Sequence, residues 1–372
     1  MAAEFTKSEK RNIIIRLLIL AALLIVIVVS VVIIVNQSKT KGGITNISND
    51  SSKYSGQLSD YKFYYNLSEE NAGAQSLLLE REYANSFDKI YELVDEYDEF
   101  KEINNIYYIN NHINEDIVLN PILYNYLKKV YDLNPFYLFE APIYSYWEGM
   151  IYSKDINQRN EIEPENNIEM KDSIDYFINT SLNNISIDFK DNYTIKLNVN
   201  DDYKKINDED SYMSFSLFYD AIIMDYIKAY MTNLGYVNGY LISRNGFYID
   251  LGLTVDNSIL LTSKEYMDGY YSLKCESKNS YICIYDYKSS TEYPYYEYNG
   301  SKRSLFINPN TGYSFDIYSS VFYSNDNIID LLSNVYDYYL DNNKINYIIQ
   351  HDNKIYTNVK SVTSNKIEVV YE

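Results

Sequence analysis

Hydrophobic and polar positions change period several times along the chain, and each change predicts an element. Helical spacing runs through Gln75–Phe100, where Tyr83, Phe87, Ile90, Val94 and Tyr97 share one face. It returns in Leu217–Leu234 through Ile223, Ile227, Tyr230 and Leu234. It returns again after Ser324, Asn325 and Asp326, three candidate N-caps, through Ile328, Leu331, Leu332, Val335 and Tyr339. Asn120-Pro121 predicts a cap and first position for a further helix with Leu123, Leu127 and Val130 inward, and Ser173–Leu182 predicts a short one. Alternation by twos predicts strands at Ile185–Phe189 and Tyr193–Val199, joined by Lys190-Asp191-Asn192. It also predicts Gly239–Ser243 and Phe247–Leu251 around the Asn245-Gly246 turn. Leu58–Leu67, Ile106–Ile109, Ile345–Gln350, Lys354–Thr357 and Lys366–Tyr371 read as further strands. Asn134–Trp147 and Lys154–Glu169 read as loops, the first aromatic and turn-rich, the second polar. Leu305–Leu340 combines an Asn-Pro-Asn-Thr-Gly turn at Asn308–Gly312, a short strand and a helix. Helices and hairpins intermix without regular alternation, which predicts an α+β fold.

The N-terminal pattern is different. Leu17–Val35 is apolar throughout except for Ser30, long enough to span a hydrocarbon core of ~30 Å. Lys7, Lys10, Arg11 and Arg16 precede it, so the short N-terminus is expected in the cytoplasm. No small-residue cleavage site follows, which favours an uncleaved signal anchor. Gln37–Gly56 is rich in Ser, Asn, Lys and Gly and reads as a tether. The expected organisation is residues 1–16 cytoplasmic, 17–35 membrane-spanning, 36–56 flexible linker and 57–372 an extracytoplasmic domain.

Charge narrows the partners. Of 372 residues, 52 are Asp or Glu and 32 are Lys or Arg, a net charge of −20 that argues against nucleic acid and against docking of the folded part on an anionic membrane. Tyrosine is abundant, 45 against 14 Phe and a single Trp, and is expected to take core and half-exposed strand positions that Phe or Leu fill elsewhere. Two cysteines lie in strand-like runs, Tyr271–Cys275 and Tyr281–Tyr287, separated by the polar Glu276–Ser280. They suggest a hairpin in which a disulfide is possible, with two free thiols the favoured state. The two histidines, His112 and His351, form no cluster with metal-ligand spacing.

Candidate chemistry is sparse. Asn134–Trp147 reads either as a satellite hydrophobic cluster or as one wall of a pocket for a flat ligand. Asp330 and Asn334, one helical turn apart, are either an ordinary exposed face or a carboxylate and amide able to share a hard cation. The acidic run Glu92–Glu99 reads as a solvated helix face.

Several blocks, in order, resemble the bacterial FAD:protein FMN transferases, the ApbE-type flavin transferases once called thiamine-biosynthesis lipoproteins. Asp98–Asn104 is similar to the family's Ser-Glu-Leu-Ser-x-Leu-Asn segment and keeps Glu99, Ile103 and Asn104. Asn134–Trp147 matches the family's Phe…Pro…Trp block without a gap, keeping Phe136, Pro142 and Trp147. Ser214–Asp225 resembles Asp-Leu-Gly-Gly-Ile-Ala-Lys-Gly-Tyr-Ala-Val-Asp and keeps only Asp225. Ser243–Gly246 resembles the family's Asn-Leu-Gly-Gly turn. Leu305–Gly312 resembles His-Ile-Ile-Asp-Pro-x-Thr-Gly, and Ile329–Asn334 resembles Ala-Asp-Ala-Leu-x-Thr. The resemblance implies an ApbE-type flavin-transferase domain. It implies FAD contacts at Asn104, Phe136, Pro142, Trp147, Asp225, Asn245, Gly246, Thr311 and Gly312. It implies a magnesium site at Asp330, Asn334 and the Tyr219 carbonyl, and a flavin-acceptor protein as partner.

The departures fall on the chemistry. The family moves FMN from FAD to a Thr or Ser hydroxyl, which needs phosphate neutralisation and a proton acceptor. Leu305 stands at the family's His and Asp220 at its Lys, while Ser216-Leu217 replace its Gly-Gly. The expectation is a membrane-anchored, extracytoplasmic, catalytically degenerate relative that binds a flavin nucleotide or a protein. The alternatives are an active magnesium-dependent transferase and a scaffold with no ligand.

Overall fold

The computed structural model describes residues 41–206, 211–252, 258–262, 270–274, 280–284, 295–324, 327–341, 345–351, 354–360, 362 and 368–372. Among these residues no helix is long and apolar enough to cross a membrane. The predicted membrane-spanning run Leu17–Val35 lies outside the described residues, as does Cys275.

A nine-stranded sheet carries the domain. Its order from one edge is Gly43–Ile47, Tyr61–Leu67, Gly239–Ser243, Phe247–Asp250 and Ser280–Ile284. Ser319–Ser324, Asn346–His351, Lys354–Thr357 and Glu368–Tyr371 follow. Neighbours are antiparallel except the last pair, where Ile355 lies opposite Val369 in parallel register. The first strand corrects the linker expectation: Gly43–Ile47 pairs along its whole length with Phe63–Leu67. The cysteine hairpin is also corrected. The strand Ser280–Ile284, which contains Cys283, has Phe247–Asp250 on one side and Ser319–Ser324 on the other. The run Tyr270–Lys274 pairs instead with Ser258–Thr262.

Helices cover one face. Phe218–Asn233 packs against the strands Gly239–Ser243 and Phe247–Asp250 and lies beside both Ala72–Val94 and Ile328–Asp341. Phe218, Ala221, Ile222, Ile223, Met224 and Ile227 are buried almost all round it, as a central helix requires. Ala72–Val94 buries Leu79, Tyr83, Phe87, Ile90 and Val94, the face its period predicts. It stops at Asp95, earlier than expected, because the Asp95 carboxylate accepts from the amides of Tyr97 (2.9 Å) and Asp98 (2.6 Å) and turns the chain. The expected strand at Ile106–Ile109 is instead a helix, Ile106–Asn111, whose N-cap Asn105 accepts from Tyr108 N–H. The two expected loops also hold helices: Phe136–Phe139 and Ala141–Tyr152 in the first, Ile156–Ile162 in the second. A separate three-stranded sheet joins Asp116–Val118 to the hairpin Ile185–Lys190 and Thr194–Val199.

Tyrosine does take core positions. Tyr83, Tyr137 and Tyr336 are fully buried, and Tyr83 O–H donates to the Tyr61 carbonyl at 2.9 Å. On the other sheet face Tyr64, Tyr240, Tyr248, Tyr281 and Tyr323 run across five adjacent strands, with successive ring centroids 4.9, 5.3, 5.3 and 5.7 Å apart.

A buried ionic knot fixes the hairpin Tyr296–Tyr298/Ser301–Arg303 to the chain just after Ile156–Ile162. Arg303 donates to Glu163 at 2.9 and 3.0 Å and to Glu165 at 2.5 Å, while Tyr296 O–H donates to Glu163 at 2.5 Å. Glu163 is wholly buried and Arg303 nearly so. Arg303→Met should therefore cost ~3–5 kcal/mol in urea denaturation, because it strands the Glu163 charge. The double change Arg303→Met/Glu163→Leu should recover most of that loss.

Candidate functional site

Trp147 meets the Asn308–Gly312 turn, Asp220, Asp225 and Asn245 lie on or against the helix Phe218–Asn233, and Asn104 lies apart beside Val118. In the turn, the amides of Thr311 (3.2 Å) and Gly312 (2.8 Å) donate to the Asn308 carbonyl, and Asn308 N–H donates to Tyr313 at 2.8 Å. Gly312 has φ +71, and a Cβ there would meet Ile174 at 2.6 Å and Ile178 at 3.0 Å. Its carbonyl accepts from the indole N–H of Trp147 at 2.8 Å, and Trp147 is 0 % exposed. The Trp147 block and the Thr-Gly block thus meet directly. They meet as core: Phe136 is buried too, and Pro142 opens the helix that carries Trp147. The aromatic segment forms part of the buried core.

Ser214–Asp225 starts the central helix. Ser216 has φ +46, so a serine holds a left-handed conformation where glycine is the unstrained residue. Ser214 Oγ accepts from Ser216 N–H at 3.2 Å and lies 2.8 Å from Ser216 Oγ, which offsets that cost locally. Leu217 is 6 % exposed and packed in the core. Asp220 accepts from Tyr61 O–H at 2.5 Å and from Asn245 Nδ2 at 2.9 Å. That pair ties the central helix to a sheet strand and to the Asn245-Gly246 turn, where Gly246 has φ +85. Burial pushes the Asp220 carboxyl above its ordinary range, and the two donors hold it back. Asn104, half-buried, donates to the Val118 carbonyl at 2.8 Å and so serves the chain's own backbone.

Further along the helix, Asp225 accepts from Tyr126 O–H at 3.0 Å. Burial raises its carboxyl, while Tyr126, Lys129 and Lys228 lower it. Asp330 lies near: Lys129 Nζ is 3.2 Å from its Oδ1 and 3.3 Å from its Oδ2. Asn327, not one of the three expected residues, caps the helix Ile328–Asp341. Its Oδ1 accepts from Ile329 N–H at 3.1 Å and Asp330 N–H at 3.0 Å, and its amide also donates to Asp330. Asn334 and Tyr219 are half-buried.

Leu305, in the position before Phe306, is 7 % exposed and belongs to the core.

Sequence reasoning missed the partners rather than the motif residues. Tyr61, Tyr126 and Lys129 lie 159, 99 and 201 positions from the carboxylates they bind, and no local signal marks them. It also misread Glu92–Glu99. Glu96 lies beyond the helix end and burial pushes its carboxyl up to about 7, with Glu148 and Asp95 adding repulsion and Tyr97 and Ser214 opposing it. Glu140 is wholly buried, and burial holds its carboxyl well above the usual range.

Two outcomes follow. Trp147→Phe removes the indole N–H and the second ring, leaving the buried Gly312 carbonyl unpaired beside a small cavity, and should cost ~2–4 kcal/mol in thermal or urea unfolding. Glu96 has a folded pKa of about 7 against an ordinary 4.5, so the folded state keeps a proton that the unfolded chain loses. Its contribution is complete below pH ~4.5 and is lost as pH rises toward ~7. The unfolding midpoint should therefore fall between pH 5 and 7.5, and Glu96→Gln should flatten that slope and raise the midpoint at the upper end.

No protein-family model matches the sequence, and no curated protein matches it significantly. Solved structures do match. The ApbE protein of Thermotoga maritima aligns over 81% of this chain and 93% of its own, with TM-score 0.52 and 13% identity. The flavinyl transferase ApbE of Pseudomonas stutzeri in its apo form aligns over 82% and 90%, with TM-score 0.53 and 11% identity. The flavin transferase ApbE of Vibrio cholerae aligns over 80% and 93%, with TM-score 0.50 and 14% identity. This chain therefore carries, over about four-fifths of its length, the mixed α+β fold of the ApbE flavin transferases.

Proposed function

We propose that this protein is a membrane-anchored, extracytoplasmic module with a flavin-transferase fold, in which internal contacts have replaced the transfer chemistry and a protein partner is the ligand. The observation that carries this reading is Asp220. Where the related pattern has a lysine for the pyrophosphate, this chain has a carboxylate locked to Tyr61 and Asn245. Leu305 can neither donate nor accept a proton. Leu217 fills the space that glycine would leave for a ligand.

The groups that flavin transfer would require do not fit here. Magnesium demands near-octahedral oxygen coordination at ~2.0–2.1 Å. Both Asp330 oxygens instead face the Lys129 ammonium. A pyrophosphate beside Ser214–Asp220 would meet Asp220 with Glu96 and Glu140 near, in a chain of net charge −20. No transfer step is built on these residues. The apolar run Leu17–Val35 after Lys7, Lys10, Arg11 and Arg16 supports the anchor and an outward-facing domain.

The rival reading, an active transferase with a rearranged site, is favoured by the solved structures of this fold being flavin transferases. One assay separates the two. The full chain in detergent is incubated with FAD, magnesium and a peptide bearing an acceptor threonine, and the peptide is weighed by mass spectrometry. The expected outcome is no added FMN; a peptide carrying FMN would overturn the proposal. Quenching of flavin fluorescence in the same sample distinguishes a domain that still holds the nucleotide from one that binds protein alone.

A further inference from the structure

Asp330 and Asn334 offer, from sequence, a carboxylate and an amide one turn apart to a hard cation. The structure supplies a cation from within the chain. Lys129 reaches over from the helix Pro121–Leu133 and places Nζ almost equally from both Asp330 oxygens, at 3.2 and 3.3 Å. That is the position a bidentate ion would take, set back by the longer N–H···O distance. We infer that the Lys129 ammonium is a tethered substitute for a divalent ion at this site, so that the protein holds its three-helix junction together without metal.

The surroundings are balanced for one positive charge and not for two more. Tyr126, one turn before Lys129, donates to Asp225 on the central helix at 3.0 Å. Asp225 lies within the field of Lys129, Lys228 and Asp330, so two carboxylates and two ammonium groups share the junction. Asn327 uses its carbonyl to cap the helix and its amide to fill a further acceptor site on Asp330. Among the described residues no group of three or more His, Cys, Asp and Glu side chains is arranged to hold a metal ion. The pair is not deeply buried, with Lys129 33 % and Asp330 38 % exposed, so an incoming ion could reach the carboxylate if the lysine were gone.

The inference deepens the proposed function at the same junction, and it rests on that reading only for its consequence, that no divalent ion is present to neutralise a pyrophosphate. Its test needs neither FAD nor an acceptor, so the two can fail separately. The probe is Mn2+, followed by the electron paramagnetic resonance signal of the free ion, added to the full chain in detergent. The wild-type protein and Lys129→Arg should leave the signal unchanged. Lys129→Met should take up one Mn2+ per chain, and Lys129→Met/Asp330→Asn should lose it again. Uptake by the wild-type protein that disappears in Asp330→Asn would overturn the inference, and so would a folded Lys129→Met that takes up none. Should Lys129→Met fail to fold, Lys129→Gln, which keeps a polar end without the charge, takes its place with the same two outcomes.

Discussion

One hydrogen bond joins two segments that lie far apart in the sequence. The indole N–H of Trp147 donates to the carbonyl of Gly312, 165 positions away, inside the core. Both ends are constrained. The tryptophan sits on a helix whose first turn is set by Pro142, and the glycine has a backbone conformation and a lack of space that exclude a side chain. A buried carbonyl without a donor is costly, so the bond fixes the distance between the helical segment and the turn. The Arg303–Glu163 knot lies on the same side of the molecule, with the Arg303 guanidinium 5.9 Å from the Trp147 ring, and holds the strand pair that leads into Leu305. The turn, the hairpin and the aromatic helices therefore form one unit.

A second theme is that polar groups suited to a ligand are satisfied by the chain itself. Asp220 takes Tyr61 and Asn245, Asp225 takes Tyr126, Asp330 takes Lys129 and Asn327, and Asn104 takes a backbone carbonyl. Apart from the Asn327 cap on its own helix, these contacts join segments distant in sequence: Asp220 ties the central helix to the sheet, and Asp225 and Asp330 tie their helices to Pro121–Leu133. A carboxylate engaged in this way offers a ligand less, because binding would first have to break an internal contact. Burial raises the Glu140 carboxyl as it raises those of Asp220 and Asp225, so these acids tie the fold to pH in the same direction.

Much of the architecture was legible where period and punctuation agreed. Phe218–Asn233 and the hairpins at Lys190–Asn192 and Asn245-Gly246 fall within a residue or two of expectation, because helical spacing and turn chemistry are local properties. The errors are also physical. Asn134–Trp147 was expected as a loop because its prolines and aromatics look like breakers, yet Pro142 is tolerated in a helical first turn and the rings are buried by neighbours far along the chain. Gly43–Ile47 was expected as tether because its composition is polar; an edge strand needs only a partner with free backbone groups, and Phe63–Leu67 provides it. The cysteine hairpin failed because strand pairing is a tertiary choice, and Ser280–Ile284 found partners on both sides elsewhere.

The sequence by itself determined the strongly periodic helices and the tight hairpins, the acidic character, the apolar N-terminal run and the ordered blocks that resemble flavin transferases. It also determined which side chains stand at the chemically demanding positions, since Leu305 and Asp220 are read directly from it. Only the tertiary structure decided what those side chains do. That Asp220 faces Tyr61, that Lys129 faces Asp330, and that Trp147 donates to Gly312 within the core depend on contacts between residues 159 to 201 positions apart. Periodicity carries no information at that range. Burial and hydrogen-bond partnership arise only once the helices and the sheet are packed together.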